Sequence, residues 1–430
     1  MGIALFIFHR PSKWHPSEIW YTGKKSKGAA AMPTPLHWKK SLWILWVANF
    51  SIMCGMNLVL PFLPLYIGEL GVHELGDVVR WTGWIVAAQF VTSFLTQPLW
   101  GAIADRRGRK IMLLRAGFGM AIVTALMGIV TAPWQLLSLR LLNGVFSGFI
   151  SMAVSLQASV TPPEHSGKSL GTLQTGAIAG SLIGPLLGGL LAGFIGYSHV
   201  FFFTGGLMLC ASLIVLIFIK EERKPPSQKK ERQRAEWRLF RPLFPVFAAS
   251  LITQIGMMSI EPIVTVYAKT LYTGSHLELL AGLVVAITGI ANLFGAPSLG
   301  RIGDRIGQRK TLVIALSMAA LAFIPQAFAT SITMLLVGRF LLGLFIGGMI
   351  PSLNVLVMKL APTQIQGTAY GFNTSSLFLG NLIGPLIGSH LAAAYGFTSV
   401  FYVTMGILLL CAGFVYSNRS LEGQPLSKTA

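Results

Sequence analysis

The sequence predicts an all-α polytopic membrane protein in which twelve transmembrane helices form two pseudo-symmetric six-helix bundles. Three observations support this fold class. The 430 residues are 53% hydrophobic and only 11% charged, whereas a soluble domain carries about 25% charged residues. Apolar runs of about 20 residues, each long enough to cross a bilayer, recur along the chain after Lys40. Many Gly, Pro, Arg and Asp residues also recur at a spacing of about 200 residues.

The basic residues indicate how the chain crosses the membrane. In a soluble protein, the net charge of +19 would favour nucleic-acid binding. If both termini are cytoplasmic, however, nearly all of the 33 Lys and Arg residues lie on the cytoplasmic side. We place Arg80 and Lys269 outside, and Arg140 and Arg339 within spans. We therefore expect a multi-pass protein of the bacterial inner membrane with no nucleic-acid partner.

Hydropathy and turn residues divide the chain into two halves. The spans predicted for the first half are 41–67, 79–104, 111–130, 134–158, 167–194 and 199–219. Those predicted for the second half are 243–269, 277–302, 310–330, 332–359, 366–394 and 399–417. The predicted domains are a cytoplasmic N-terminal segment (1–40), two six-helix bundles (41–219 and 243–417), a cytoplasmic linker (220–242) and a cytoplasmic tail (418–430).

The first 31 residues do not fit this plan. Their apolar stretch is too short to span a membrane, and the polar and basic residues that follow are not typical of a signal peptide. Met32, in contrast, directly precedes a normal cytoplasmic lead-in to the first span. We hypothesise that Met32 is the natural start and that 1–31 are not native.

The two halves repeat each other residue by residue. Matches separated by 199 residues are Pro98/Pro297, Gly101/Gly300, Asp105/Asp304, Arg106/Arg305, Gly108/Gly307, Arg140/Arg339, Gly144/Gly343 and Gly148/Gly347. Matches separated by 200 residues are Pro162/Pro362, Gly167/Gly367, Gly171/Gly371, Gly180/Gly380, Gly184/Gly384, Pro185/Pro385 and Gly188/Gly388. Internal repeats of this kind are typical of secondary transporters.

A charged loop follows the second span of each half. Its glycines permit a tight turn, and its aspartate can accept charge-assisted hydrogen bonds from the arginines around it. We interpret both loops as latches; the alternative is an ordinary loop of the positive-inside type. The latch residues are Gly101, Asp105, Arg106, Gly108 and Arg109 in the first half, and Gly300, Asp304, Arg305 and Gly307 in the second.

The first of these loops resembles the signature between spans two and three of the major facilitator superfamily. It departs from that signature only in having Ile103 where the family has leucine. The resemblance extends over about residues 36–420. It implies the twelve-helix fold, and it implies that Asp105 and Arg109 hold the outward-open state by clamping the cytoplasmic ends of helices.

The fifth span carries small residues at a spacing of four, and this arrangement permits close helix packing. General packing is the alternative to a specific role. The full string resembles the antiporter signature of drug and metabolite exporters in this superfamily, and this resemblance favours proton-coupled export over uptake. The residues concerned are Gly180, Gly184, Pro185, Gly188 and Gly189.

Three charged residues inside spans are candidates for proton coupling. Arg140 and Arg339 should face the bundle interior because a guanidinium in hydrocarbon is costly; snorkelling to the outer interface is the alternative. By resemblance, Arg140 matches a fourth-span pattern with a proposed role in proton transfer. Glu261, whose repeat counterpart is Leu60, is expected to favour its protonated form unless an arginine lies close. Alternatively, it is an acid wetted at the outer rim.

Polar side chains and flexible methionines in several spans are expected to line a cavity that accepts substrates of different shapes. Helix packing is the usual role of each such residue taken alone. They are Asn57, Gln89, Gln174, Gln254, Met257, Met258 and Asn373. Several exporters of the superfamily carry an acid in the first span, where this chain has Asn49 and Asn57. The coupling mechanism of those exporters therefore does not transfer directly.

These patterns together predict a proton-coupled exporter of amphipathic, often cationic drugs or dyes that works by alternating access. The alternatives are a transporter of a specific metabolite, sugar or lipid on the same fold and, more remotely, a non-transporting membrane sensor. We expect no enzymatic activity, cofactor or metal, because nucleotide, metal and nucleophile motifs are lacking. The expected partners are the substrate, protons and the lipid bilayer, and the chain is expected to act as a monomer.

Overall fold

A computed structural model describes residues 35–219, 237–272, 274, 277–362 and 365–422. The proposed start at Met32 and most of the predicted linker and tail lie outside the described residues. The described part contains helices and turns but no strands. Twelve of its helical segments are long and apolar enough to cross a membrane, which confirms the predicted fold class.

The helices follow the predicted order in both halves. In the first half they are Pro35–Leu58, Leu63–Glu69, Leu75–Arg107, Arg109–Leu126, Pro133–Phe146, Phe149–Val160, Ser166–Ile195 and Tyr197–Phe218. In the second half they are Phe244–Ile260, Val264–Leu271, Leu277–Ile306, Gln308–Leu321, Phe323–Ala327, Ile332–Leu360, Gln366–Tyr395 and Phe397–Ser417. Short 3-10 turns include Leu60–Phe62, Trp237–Leu243 and Arg419–Glu422.

Proline interrupts the first span of each half at the same place. The first span bends at Leu60–Phe62, and the seventh bends between Ile260 and Val264. Each bend contains a proline of the repeat, Pro61 or Pro262. Proline lacks the N–H that a continuous helix requires, and its ring clashes with the preceding turn. The proline in each half therefore accounts for the bend at that place.

Glycine forms the sharp turn between the second and third spans of each half. Gly108 separates Leu75–Arg107 from Arg109–Leu126 with a φ of +101°, and Gly307 occupies the matching place with a φ of +94°. Side chains other than glycine rarely adopt this conformation. The two glycines predicted for the latch loops thus let a long helix reverse direction without a connecting loop.

Close backbone packing holds the fifth span against the first. Side chains built on Gly176, Gly180, Gly184 and Gly188 would collide with the carbonyl oxygens of Trp46, Phe50, Cys54 and Leu58, respectively. Both sets of residues advance by four, so each turn of one helix meets the next turn of its partner. Gly388 meets Ser259 in the second half in the same way. The small residues therefore set the distance between the paired helices.

Gly188→Ala tests this packing. The added methyl group would have to displace the backbone at Leu58, and overpacking of this kind typically costs about 1–3 kcal/mol. We expect a lower midpoint of thermal unfolding in detergent. Gly206→Ala is the matched control, because no atom lies within 4 Å of its added methyl group and alanine favours helix. Equal midpoints for the two variants would contradict the packing argument.

Candidate transport pathway and gates

The two ends of the helix bundle differ in charge. We call the end with Lys110, Arg301 and Lys359 the basic end, since it carries both latch loops. The opposite end begins the second and eighth spans and carries acidic residues such as Asp77 and Glu278. This difference defines the two faces between which a pathway would run.

At the opposite end, the two halves meet through their backbones. A side chain on Gly282 of the eighth span would lie 2.5 Å from the carbonyl oxygen of Pro185 in the fifth span. In the matching place, a side chain on Gly83 of the second span would lie 2.8 Å from the carbonyl oxygen of Pro385. Gly189 meets the backbone of Glu278 just as closely. The fifth-span signature thus faces the first span and the second half at once.

At the basic end, the corresponding glycines face open space. Within the described part of the chain, no atom of another element lies within 4 Å of a side chain built on Gly101 or Gly300, the first residues of the two latches. The same is true of Gly171 and Gly371 in the fifth and eleventh spans. The halves therefore touch at the opposite end and are separated at the basic end.

The gap at the basic end is lined by residues on the faces that bear Pro185 and Pro385. Gln174 lies eleven residues before Pro185, and eleven residues complete about three helical turns. Thr374 stands in the same relation to Pro385, and both side chains are exposed. Gln174 is a predicted cavity residue, whereas Thr374 was not identified from the sequence. Thr374 could have been identified as a cavity residue because it lies 200 residues after Gln174, at the matching position of the repeat.

A hydrogen bond also crosses between the halves at the closed end. The hydroxyl of Tyr197 donates to Oε1 of Glu278 at 3.1 Å. The Tyr197 ring stacks on Phe62 with ring centres 5.6 Å apart, which fixes it within the first half. The counterparts in the repeat are apolar, Phe397 and Val79. Sequence reasoning missed this pair because nothing in the sequence shows that the two residues meet.

The latch residues contact helices of their own half. Arg109 donates to the carbonyl of Ser155 at 2.6 Å, and Lys110 donates to the carbonyl of Leu216 at 2.9 Å. In the second half, Arg309 donates to the carbonyls of Val415 and Tyr416. Lys110 and Arg309 therefore play equivalent parts in tying the third and ninth spans to the ends of the sixth and twelfth.

The acidic residues of the latches, Asp105 and Asp304, show fewer contacts in the described part of the structure than the basic ones. Asp304 is exposed and accepts a long hydrogen bond of 3.5 Å from Gln308, and Arg305 is also exposed. The backbone of Asp105 and Arg106 lies in the helix Leu75–Arg107; their side chains are outside the described part of the structure. The clamping role expected of Asp105 remains a prediction.

The fourth-span arginine is buried inside the first half. Arg140 is 8% exposed, and its guanidinium donates to Oε1 of Gln89 at 2.9 Å. Beside it, the amide of Asn143 donates to the hydroxyl of Thr124 at 3.2 Å. These four residues line a cavity of about 20 Å³, and Nε of Arg140 has no partner among the described residues. Two predicted residues, Arg140 and Gln89, are thus brought together.

The tenth-span arginine is buried to a similar degree. Arg339 is 4% exposed, and its Nε donates to the carbonyl of Val284 at 3.2 Å. Glu261 is half-buried at the bend of the seventh span and attracts Arg339 electrostatically. The two do not form a direct ion pair; among the described residues, the ion pair formed is Arg80 with Asp77. Thus Glu261 and Arg339 are farther apart than the 4 Å of an ion pair.

Two of the remaining cavity candidates, Gln254 and Asn373, form hydrogen bonds with other polar side chains of the second half. Gln254 donates to Asn381 at 2.6 Å, while Asn373 accepts from Ser250 at 2.6 Å and donates to Asn354 at 3.1 Å. Asn373 is buried in the second half. The side chains of Asn57, Met257 and Met258 are half-buried. The role of these residues in lining a cavity with Gln174 stays a prediction.

A further cation, which is half-buried, lies in the third span. Arg115 falls inside the predicted span 111–130, although it was counted with the cytoplasmic cations. It lies within Arg109–Leu126 and stacks on Trp100 at 3.7 Å. It donates to the carbonyls of Val145 and Ser147 at 3.1 Å each, where the fourth span breaks before Gly148. Its counterpart in the repeat is Ile314, and the tenth span is unbroken. In the sequence, the absence of a cation at the repeat position of Arg115 was the one feature that could have indicated a special role for it.

The family model described as Major Facilitator Superfamily matches residues 45–280 and 246–429. The chain belongs to the major facilitator superfamily. Among curated members, it is 40% identical over 397 residues to "Multidrug resistance protein MdtG" of Klebsiella pneumoniae (strain 342), covering 90% of this chain and 95% of that protein. The protein of the same name from Salmonella arizonae is also 40% identical, covering 91% of this chain and 98% of its own length.

Solved structures of the superfamily share the fold at low identity. A D-xylose-proton symporter aligns with a TM-score of 0.74 and 15% identity, covering 91% of this chain and 100% of its own. A bacterial homologue of the human lysosomal transporter Spinster aligns with a TM-score of 0.72 and 14% identity, covering 89% of this chain and 97% of its own. The chain is thus a multi-pass membrane protein with the transporter fold of this superfamily.

Tyr197→Phe, Glu278→Ala and the double variant test the gate bond. A hydrogen bond to a charged group contributes about 1.5–3 kcal/mol, so each single variant should raise the open population of this end by about tenfold. The double variant should open it no further than either single variant. Opening is measured as the rate at which a soluble maleimide labels Ala393→Cys in a chain without its three native cysteines. Additive effects, or the same effect in the control Tyr402→Phe, would contradict the assignment.

Proposed function

We propose that this protein exports amphipathic, often cationic drugs or dyes in exchange for protons. The observation that carries the proposal is the 40% identity to multidrug resistance proteins, which covers 90% of this chain. The gap between the halves supports it. Gln174 and Ile178 on the fifth span and Thr374 on the eleventh are exposed, and they offer neutral polar and apolar surface. Such a surface suits substrates recognised by shape and hydrophobicity.

The charge distribution supports an orientation with the basic end in the cytoplasm. Lys and Arg residues accumulate in cytoplasmic loops of membrane proteins. In this orientation both termini are cytoplasmic, and the structure is in an inward-open state. The halves 41–219 and 243–417 move as two units joined by the linker 220–242. Substrate enters the gap from the cytoplasm, and the contacts of Gly83 and Gly282 seal the outside.

Coupling to protons is assigned to the charged residues inside the spans. Glu261 is the carboxylate near Arg339, and a proton on Glu261 would weaken its attraction to that arginine. Arg339 contacts the eighth span through Val284, so a change at Glu261 can reach the interface between the halves. Arg140, bonded to Gln89 on the second span, occupies the matching place in the first half. The monomer contains all of these groups.

Efflux of a cationic dye from proteoliposomes under an imposed pH gradient tests both the export and its coupling. The parent protein should move the dye only when the gradient is present. Glu261→Gln removes the proton-binding group but keeps the side-chain shape, so gradient-driven efflux should fall at least about tenfold while passive exchange of dye persists. Glu69→Gln is the matched control, because Glu69 is an exposed acid at the same end of the bundle.

The outcomes separate the parts of the proposal. Equal dye efflux by the parent protein with and without the pH gradient would contradict proton coupling. The absence of any dye efflux would contradict the proposed substrate class. Unchanged gradient-driven efflux in Glu261→Gln would remove Glu261 from the mechanism and leave the export function standing.

A further inference from the structure

The second half contains a cavity at the basic end that lies outside the gap between the halves. Its volume is about 260 Å³. It is enclosed by the turn at Gly307, the first turn of the helix Gln308–Leu321, the end of the helix Ile332–Leu360 and Leu421 of the short helix Arg419–Glu422. Leu421 is 1% exposed, so it is a fixed wall of the cavity.

The cavity combines apolar walls with positive charge. Its apolar walls include Leu356, Leu360 and Leu421, and its charged residues are Arg309, Lys310 and Lys359. No Asp or Glu belongs to the described lining. Lys310 and Lys359 are exposed, and neither has a carboxylate within ion-pair distance among the described side chains. Asp304, which precedes the turn at Gly307, accepts a hydrogen bond from the lining residue Gln308.

The first half does not reproduce this arrangement. At the spacing of 199 residues, Lys310 corresponds to Ile111 and Lys359 to Val160. By contrast, Lys110 and Arg309, which tie the helices together in their respective halves, are both cationic. Helix packing therefore accounts for the shared pair and not for the two additional lysines. Their presence in one half only points to a ligand of that half.

We propose that this cavity binds the phosphate headgroup of an anionic phospholipid. The two lysines supply charge for the phosphate at the level where spans meet water, and basic pockets between transmembrane helices bind lipid headgroups in this way. In this proposal the leucine walls contact the apolar part of the lipid next to the headgroup. A free phosphate would gain nothing from those walls. The volume is below the roughly 300–1,000 Å³ of pockets that hold drug-sized ligands.

Native mass spectrometry of the purified full chain in detergent tests the site. Phosphatidylglycerol and phosphatidylcholine are titrated separately, and inorganic phosphate is added as a competitor in a third arm. The parent should bind phosphatidylglycerol more tightly than phosphatidylcholine, and millimolar phosphate should not displace it. Lys310→Ser with Lys359→Ser should weaken phosphatidylglycerol binding by about tenfold. Lys310→Arg with Lys359→Arg should retain it.

Lys39→Ser with Lys40→Ser is the matched control, because it removes the same charge from exposed lysines at the basic end of the first half. An equal loss of binding in this control would overturn the proposal, since general surface charge would then explain the result. Unchanged binding in the variant lacking Lys310 and Lys359 would also overturn it. Displacement by millimolar phosphate would show a simple anion site and contradict the lipid assignment. Because the readout is binding, it does not depend on the proposed transport function.

Discussion

Close backbone contact between helices is the constraint on which the rest of this structure depends. Glycines of the fifth span lie against carbonyl oxygens of the first, and Gly388 packs against the seventh span in the same way. Each half is therefore a tightly packed unit that can move as a whole. The contacts between the halves at Gly83 and Gly282 use the same principle, but they occur at one end only. A structure built in this way can open at one end while the other end is closed.

Polar groups make this symmetric framework asymmetric. Arg140 bonds to a side chain on the second span, whereas Arg339 bonds to a backbone carbonyl and lies near Glu261. At the closed interface, Tyr197 and Glu278 form a hydrogen bond for which the other half has only apolar counterparts. The repeated framework thus allows two alternative arrangements of the halves. The polar groups that differ between the halves are the places where a proton or a substrate can shift the equilibrium between those arrangements.

The sequence was sufficient for the spans and the repeat, because apolar length and Gly, Pro and Asp spacing are local properties. It also identified Arg140 and Gln89 separately, but it could not show that they bond, since they lie on different spans. The pairing of Tyr197 with Glu278 depends on how the halves dock, which no local pattern records. The stacking of Arg115 on Trp100 could not be predicted either, because the sequence offers only its position close to a basic loop, which the positive-inside rule accounts for.

Distances between spin labels at the two ends test the central claim most directly. One label pair at Gly101→Cys and Thr368→Cys reports the basic end, and a second pair at Asp77→Cys and Tyr395→Cys reports the opposite end. In proteoliposomes, conditions that drive transport should shorten the first distance in the same fraction of molecules in which the second lengthens. Changes at one end without the other, or in the same direction at both, would contradict alternating closure of two packed halves.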